Sequence, residues 1–102
     1  MARVDVYRFA SKSVPLVVDV QSTVLKDLKS CVVIPLVPAD HAEKEELPRL
    51  KPRLTVQGKD YILVTTDIAA LPRARLGAFI ANIDSDYRDD ITNALDFLFV
   101  GF

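Results

Sequence analysis

The hydrophobic period changes along this chain, and that change limits the fold more than any other feature of the sequence. Apolar and polar residues alternate over residues 3–9 and again over residues 16–21. A two-residue period is typical of half-buried strands. Near the end the apolar residues recur instead at helical intervals, at Ile83, Tyr87, Ile91, Ala94, Leu95 and Leu98. The pattern therefore predicts a mainly β fold with one amphipathic C-terminal helix.

The middle of the chain adds further strand signals. The run "CVVIPLVP", residues 31–38, does not alternate and predicts a strand buried on both faces, with Pro35 favouring a bulge or an edge position. The charged stretch 38–49 predicts a solvated, mobile loop. After it, residues 50–56 alternate, residues 57–60 turn the chain around Gly58, and "YILVT" returns. This arrangement predicts a β-hairpin.

The predicted helix leads into an unusually apolar chain end. Asp84 or Ser85 is expected to cap its start. At about 100° per residue Asp96 falls opposite the apolar face and is expected to be exposed. Phe97 and Leu98 are expected at the border of the buried face, whereas residues 99–102 can project from the domain. Terminal residues are usually polar, so this tail is a candidate contact surface.

Composition excludes several classes of function. A chain of 102 residues forms one domain, residues 1–102, whose small size leaves surface free for a dimer interface. The formal net charge of -1 gives no cationic field, so direct nucleic-acid binding is not expected and a protein partner is favoured. No leader or membrane span is visible, which predicts a cytoplasmic protein that does not bind membranes.

The reactive residue types give no catalytic or metal-binding pattern. Cys31 stands alone within an apolar run, which favours a buried core thiol. His41, the only histidine, lies in the charged loop without a catalytic neighbour and is expected to be solvated. Thr65, Thr66 and Asp67 follow a strand, where such side chains ordinarily bond nearby backbone. We expect no cofactor, no metal ion and no enzymatic activity.

Four blocks carry a resemblance to a known family. The segments "VVDVQS" (17–22), "VVIPL" (32–36), "TTDIAALP" (65–72) and "NALDFLFVGF" (93–102) resemble, in order and spacing, the CcdB toxins of bacterial toxin–antitoxin pairs. The resemblance implies a homodimer of small, barrel-like antiparallel β domains, related in fold to the PemK and MazF ribonuclease toxins. It also implies a non-enzymatic toxin that binds the A subunit of DNA gyrase and traps the gyrase–DNA cleavage complex. A CcdA-like antitoxin would neutralise it.

The resemblance also implies which residues contact gyrase. These are Asp96, Phe99, Val100, Gly101 and Phe102 at the end of the chain, with Val24 and Leu25 supporting them from another element. Two positions depart from the family pattern. Val100 stands where toxic members have tryptophan, and Asp96 where they have asparagine, so a cation–π contact and an amide donor are lost. Phe102 offers a ring two residues later.

Two alternatives to a gyrase poison stay open. One is a homologue that has lost gyrase poisoning through Val100 but keeps the dimer and the antitoxin contact. The other is a ribonuclease toxin on the same fold, against which stand the small net charge and the absence of a second histidine. The antitoxin-binding residues cannot be assigned, because residues 8–15 depart from the family pattern.

Overall fold

The described residues form one antiparallel sheet and a single α-helix. The computed structural model describes residues 3–11, 13–42, 44 and 46–101. Its strands are β1 (Asp5–Arg8), β2 (Leu16–Asp19), β3 (Ser30–Pro38), β4 (Arg53–Val56), β5 (Lys59–Leu63), β6 (Ala69–Pro72) and β7 (Phe79–Asn82), and its helix is α1 (Asp84–Phe99). The mainly β architecture with a C-terminal helix is confirmed.

The sheet curls into a half-barrel. The strands follow the order β4-β5-β3-β2-β1-β7, and β6 pairs with β3 beside β5. The first and last strands of this order, β4 and β7, approach each other. Gln57, at the tip of the β4–β5 hairpin, donates from Nε2 to the Ile80 carbonyl of β7 at 3.3 Å. That hydrogen bond occupies part of the edge that β7 would otherwise expose.

Strand β3 is the centre of the sheet and is buried on both faces, as predicted. Ile34 belongs to the core on the side of α1, while Cys31 belongs to the cluster on the opposite face. The prediction that Pro35 marks a bulge or an edge is wrong, since the register with β2 runs unbroken from Leu16↔Leu36 to Asp19↔Val33. The other edge of β3 pairs with β6 up to Val33 and with β5 from Leu36. Pro35 lies between these two partners, where no ladder donor is needed.

Helix α1 covers one face of the sheet with its apolar side. Ile91 and Ala94 are fully buried in the main core, and Tyr87 and Leu95 pack against it. The predicted caps are wrong, because Ile83 occupies the cap position. The Asp84 N–H is instead bonded by Asn82 Oδ1 at 3.1 Å, and Asp84 itself pairs with Arg88 at 2.7 Å.

The predicted hairpin is confirmed, with a shorter turn than expected. Gln57 and Gly58 have φ angles of 50° and 80°, as in a two-residue type I′ turn, and Val56 pairs directly with Lys59. The preceding charged stretch is only partly solvated. Ala39 and Ala42 are buried against Ile62 and Val64, so this part of the loop is anchored on the sheet.

Candidate functional site

The tail is fixed by the end of α1. The Val100 N–H donates to the Asp96 carbonyl at 2.7 Å, and the Gly101 N–H donates to the carbonyls of Asp96 and Phe97 at 3.2 and 3.1 Å. Gly101 has a φ of 93°, the left-handed conformation in which glycine commonly ends a helix. The backbone of the tail is therefore defined as far as Gly101, and Phe102 lies outside the described residues.

The tail's apolar side chains do not pack into their own domain. Phe99 is 70% exposed and Val100 is 58% exposed. Asp96 is also exposed, as its helical position predicts. Phe97 is half-buried, with the Arg49 guanidinium 4.5 Å from its ring centre. Within one chain, the described tail is thus a surface available for contact.

Val24 and Leu25 lie on a 3-10 helix, Thr23–Leu25, none of whose residues is buried. Val24 is 86% exposed and Leu25 is 43% exposed. Leu28, one turn further on, is 50% exposed, although the sequence did not single it out. In the sequence Leu28 is separated from Val24 and Leu25 by two charged residues. Its helical spacing from them is the one signal that could have grouped it with this apolar pair.

The structure does not bring these two apolar groups together in one chain. Thr23 lines a cleft of about 280 Å³ with Asp84 and Arg88, which belong to the first turns of α1. Phe99 is the last residue of this 16-residue helix. At a rise of 1.5 Å per residue such a helix is about 24 Å long. The 3-10 helix and the tail therefore lie towards opposite ends of α1.

A buried polar cluster on the sheet face opposite α1 was not predicted. Asp5 and Asp19 are buried on adjacent strands, and Asn82 Nδ2 donates to Asp5 Oδ1 at 2.8 Å. Burial and the neighbouring Asp5 raise the pKa of Tyr7 to about 12. Alternation over residues 16–21 places Asp19 opposite Val18, but it does not show whether that face is covered.

The remaining reactive groups have structural surroundings. Cys31 is fully buried, as predicted, and burial together with the nearby Asp19 carboxylate raises the pKa of its thiol to about 12. His41 is exposed beside Asp40, as predicted. Thr65 is buried and donates to the nearby Leu63 carbonyl at 3.4 Å, which confirms its local role. Among the described residues, no group of histidine, cysteine and acidic side chains could hold a metal ion.

Comparison with protein families gives a match over nearly the full chain. A family model described as "CcdB protein" matches residues 3–101. The match therefore includes the 3-10 helix, the whole of α1 and the described tail. In the part of the chain that the structure describes, no helix is both long enough and apolar enough to cross a membrane.

Proposed function

The chain belongs to the CcdB family, which supports a toxin of a toxin–antitoxin pair, and from this premise we propose that it binds the A subunit of DNA gyrase. Binding would trap the cleavage complex, so that the cut duplex is not resealed. The observation that carries the proposal is the exposed apolar end of α1, where Phe99 and Val100 project from a backbone fixed by Gly101. Exposed apolar clusters of this kind mark protein contacts.

The proposed toxin is a homodimer. Val24 and Leu25 lie far from Phe99 in one chain, because the two groups are near opposite ends of α1. A second protomer related by a two-fold axis could place the tail of one chain beside the 3-10 helix of the other. A single contact surface for gyrase would then be built from both protomers, close to the dimer axis. A CcdA-like antitoxin would compete for this dimer.

The proposed mechanism is inhibition by binding, without catalysis or a cofactor. Burial of Cys31 supports it, because a nucleophilic thiol must be accessible. The position of His41 supports it as well, since this exposed side chain has Asp40 as its charged neighbour, at 3.9 Å. We place the toxin in the cytoplasm, where its proposed target works on DNA.

A plasmid-cleavage assay tests the proposal directly. Purified protein is incubated with plasmid and gyrase from the organism that encodes the chain, and in parallel with a standard laboratory gyrase. Linear DNA after detergent and protease treatment is the expected result for the cognate enzyme. No linear DNA with either enzyme, from a folded sample, would contradict gyrase poisoning and favour the homologue that has lost it.

Matched aromatic variants make the assay specific for the tail. Phe99→Ala removes an exposed ring at the end of α1, and Phe79→Ala removes a comparably exposed ring on β7, where it contacts Tyr7 edge-on at 6.0 Å. We expect Phe99→Ala to lose most cleavage and Phe79→Ala to keep it. If Val100→Trp were required for any cleavage, the native tail would be inactive and the lost-function alternative would replace this proposal.

A further inference from the structure

Residues 22–29, hereafter the 22–29 segment, expose apolar side chains without burying any of their own. Every residue of the segment is exposed, including Val24, Leu25 and Leu28. A segment with no buried apolar anchor gains little hydrophobic stabilisation and is free to open locally. Its conformation must therefore depend on hydrogen bonds to the rest of the domain.

The side-chain amide of Gln21 provides the first of these bonds. Its Nε2 donates to the carbonyls of Leu25 and Ser30, each at 3.3 Å. Its Oε1 accepts from the Val32 N–H at 3.1 Å. One amide therefore joins the 3-10 helix to the beginning of β3.

Arg73, which follows β6, holds the far end of the segment. Its Nε donates to the Leu28 carbonyl at 2.8 Å. Its backbone N–H donates to the Lys29 carbonyl, also at 2.8 Å. Bonds from a charged donor are stronger than neutral ones, so the guanidinium is the stronger side-chain tie in this network.

Asp19 links Gln21 and Arg73 from inside the protein. Its carboxylate is buried, and Oδ1 accepts the Gln21 backbone N–H at 2.9 Å, while Oδ2 lies 4.0 Å from Arg73 Nη1. A buried carboxylate needs such partners, since leaving it unpaired is costly. The two residues that hold the segment are thus both oriented by the same buried charge.

We propose that Asp19, Gln21 and Arg73 are positioning residues that present Val24, Leu25 and Leu28 as one apolar patch to the A subunit of gyrase. This inference rests on the proposed function and extends it by adding Leu28 as a third contact residue. The carbonyls that the network holds belong to Leu25 and Leu28 themselves, so it sets the directions of the side chains that form the patch.

The first test compares two arginines of the same 3-10 helix, Arg73–Arg75. Arg73→Ala removes the side-chain bond to the Leu28 carbonyl and keeps the backbone bond to Lys29. Arg75→Ala removes an equal charge, whose guanidinium lies 5.8 Å from the Phe9 ring. We expect Arg73→Ala to weaken binding to the purified gyrase A subunit roughly tenfold, the effect of one charged hydrogen bond. Arg75→Ala should leave the affinity unchanged.

Amide hydrogen exchange shows whether the lost affinity arises in the segment. Arg73→Ala should accelerate exchange at the Leu25 and Leu28 amides, which are bonded only within the segment. The Val100 and Gly101 amides, held by α1, should exchange as in the wild type. Equal acceleration at both places would show a general loss of stability and would overturn the positioning role.

A mutant cycle separates positioning from mere stabilisation. In a background in which Val24, Leu25 and Leu28 are all replaced by serine, Arg73→Ala should cause no further loss of gyrase affinity. An undiminished tenfold loss in that background would overturn the proposal. Leu28→Ser alone should weaken binding as Leu25→Ser does, and unchanged binding would remove Leu28 from the patch.

The proposal and the function on which it rests fail in different ways. If the wild-type protein does not bind gyrase A, the proposed function fails and the contact role of the patch fails with it. The exchange experiment still decides, without gyrase, whether Arg73 holds the segment. If the wild type binds and Arg73→Ala binds equally well, only the positioning role is overturned.

Discussion

The tail and the 22–29 segment both expose apolar side chains, but they are supported from opposite faces of the sheet. The tail continues α1, whose Ile91 is buried in the core on one face. The segment is tied to Asp19 and Arg73, beside the cluster that contains Cys31 on the other face. Backbone hydrogen bonds fix the tail, whereas the side chains of Gln21 and of the distant Arg73 hold the segment. The tail therefore depends on helix packing, and the segment on a few named polar groups.

The largest effect should come from weakening the packing beneath the tail. Ile91→Ala creates a cavity at a fully buried position, and such a change typically costs about 2–5 kcal/mol. In a domain of this size we expect a decrease in Tm on the order of 10 °C or more. Thermal unfolding followed by circular dichroism measures it.

A matched variant on the exposed side of α1 gives the control for Ile91→Ala. Asn93→Ala alters an exposed position of the same helix and should shift Tm by only a few degrees at most. Under conditions in which the Ile91→Ala variant stays folded, the amide exchange rate should increase more at Val100 than at Leu28. An equal increase in the exchange rates of both amides would show that the tail and the 22–29 segment are not supported independently.

Alkaline pH should lower the stability that comes from Cys31, on the sheet face opposite α1. The folded-state pKa of Cys31 is about 12, above an ordinary value of 9.0, so the unfolded chain releases the thiol proton first. This stabilisation is complete below pH 9 and is lost as pH rises towards 12. By linkage the free energy of unfolding should fall by roughly 1 kcal/mol between pH 8 and pH 10.

Urea unfolding at several pH values measures this loss, and Cys31→Ala is the control. The variant lacks the titrating thiol and should lose less stability over the same interval. Tyr7, whose pKa is also raised to about 12, remains in both proteins and adds a smaller common decrease above pH 10. Parallel curves for the two proteins would show that Cys31 does not contribute.

The sequence predicted the periodic elements correctly because their signals are local. Alternation located β1, β2 and β4, an unbroken apolar run located β3, helical spacing located α1, and Gly58 located the hairpin that leads into β5. Strands β6 and β7 were not predicted. The bond between Asn82 Oδ1 and the Asp84 N–H, and the interior place of Pro35, depend on which segments become neighbours, and no local rule supplies that information. Val4 is a further case, since a φ of 71° is unusual for a β-branched residue. Its N–H is bonded to the Asp19 carbonyl and its own carbonyl to the Ile83 N–H, and both partners are distant in sequence.

The candidate site was predictable in part for the same reason. The exposure of Asp96 and Phe99 follows from helical phase and chain position. Gln21 and Arg73 were missed, since residues 52 positions apart in sequence give no joint signal until β6 pairs with β3. Leu28 was missed because a single leucine between charged residues gives no sign of whether it is buried or exposed.

A pair of glycine variants should separate the tail from the rest of the fold. Gly101 and Gly58 both have positive φ, and an added Cβ at either site meets nothing within 4 Å. Each change to alanine should therefore cost only the left-handed conformation, about 1 kcal/mol. Gly101→Ala should weaken gyrase binding but leave Tm nearly unchanged, because the chain end can leave the left-handed conformation without unfolding the domain. Gly58→Ala should lower Tm, because its turn joins two paired strands, and should leave binding unchanged. Binding titrations and thermal unfolding of both variants decide, and a lower affinity in Gly58→Ala would argue against a local role for the tail.

The smallest effect should come from the cation–π contact that joins the charged stretch to α1. The Arg49 guanidinium lies 4.5 Å from the Phe97 ring centre, at an exposed site where such contacts contribute about 0.5–1 kcal/mol. Arg49→Ala should therefore free the last turn of α1 and weaken gyrase binding by about two- to fivefold. Arg49→Lys keeps a cation that can lie over the ring and should restore most of this loss. Because Arg49 lies against Phe97 near the end of α1, the exchange rates of the Leu25 and Leu28 amides should stay at wild-type values. Any increase there would contradict independent support of the two regions.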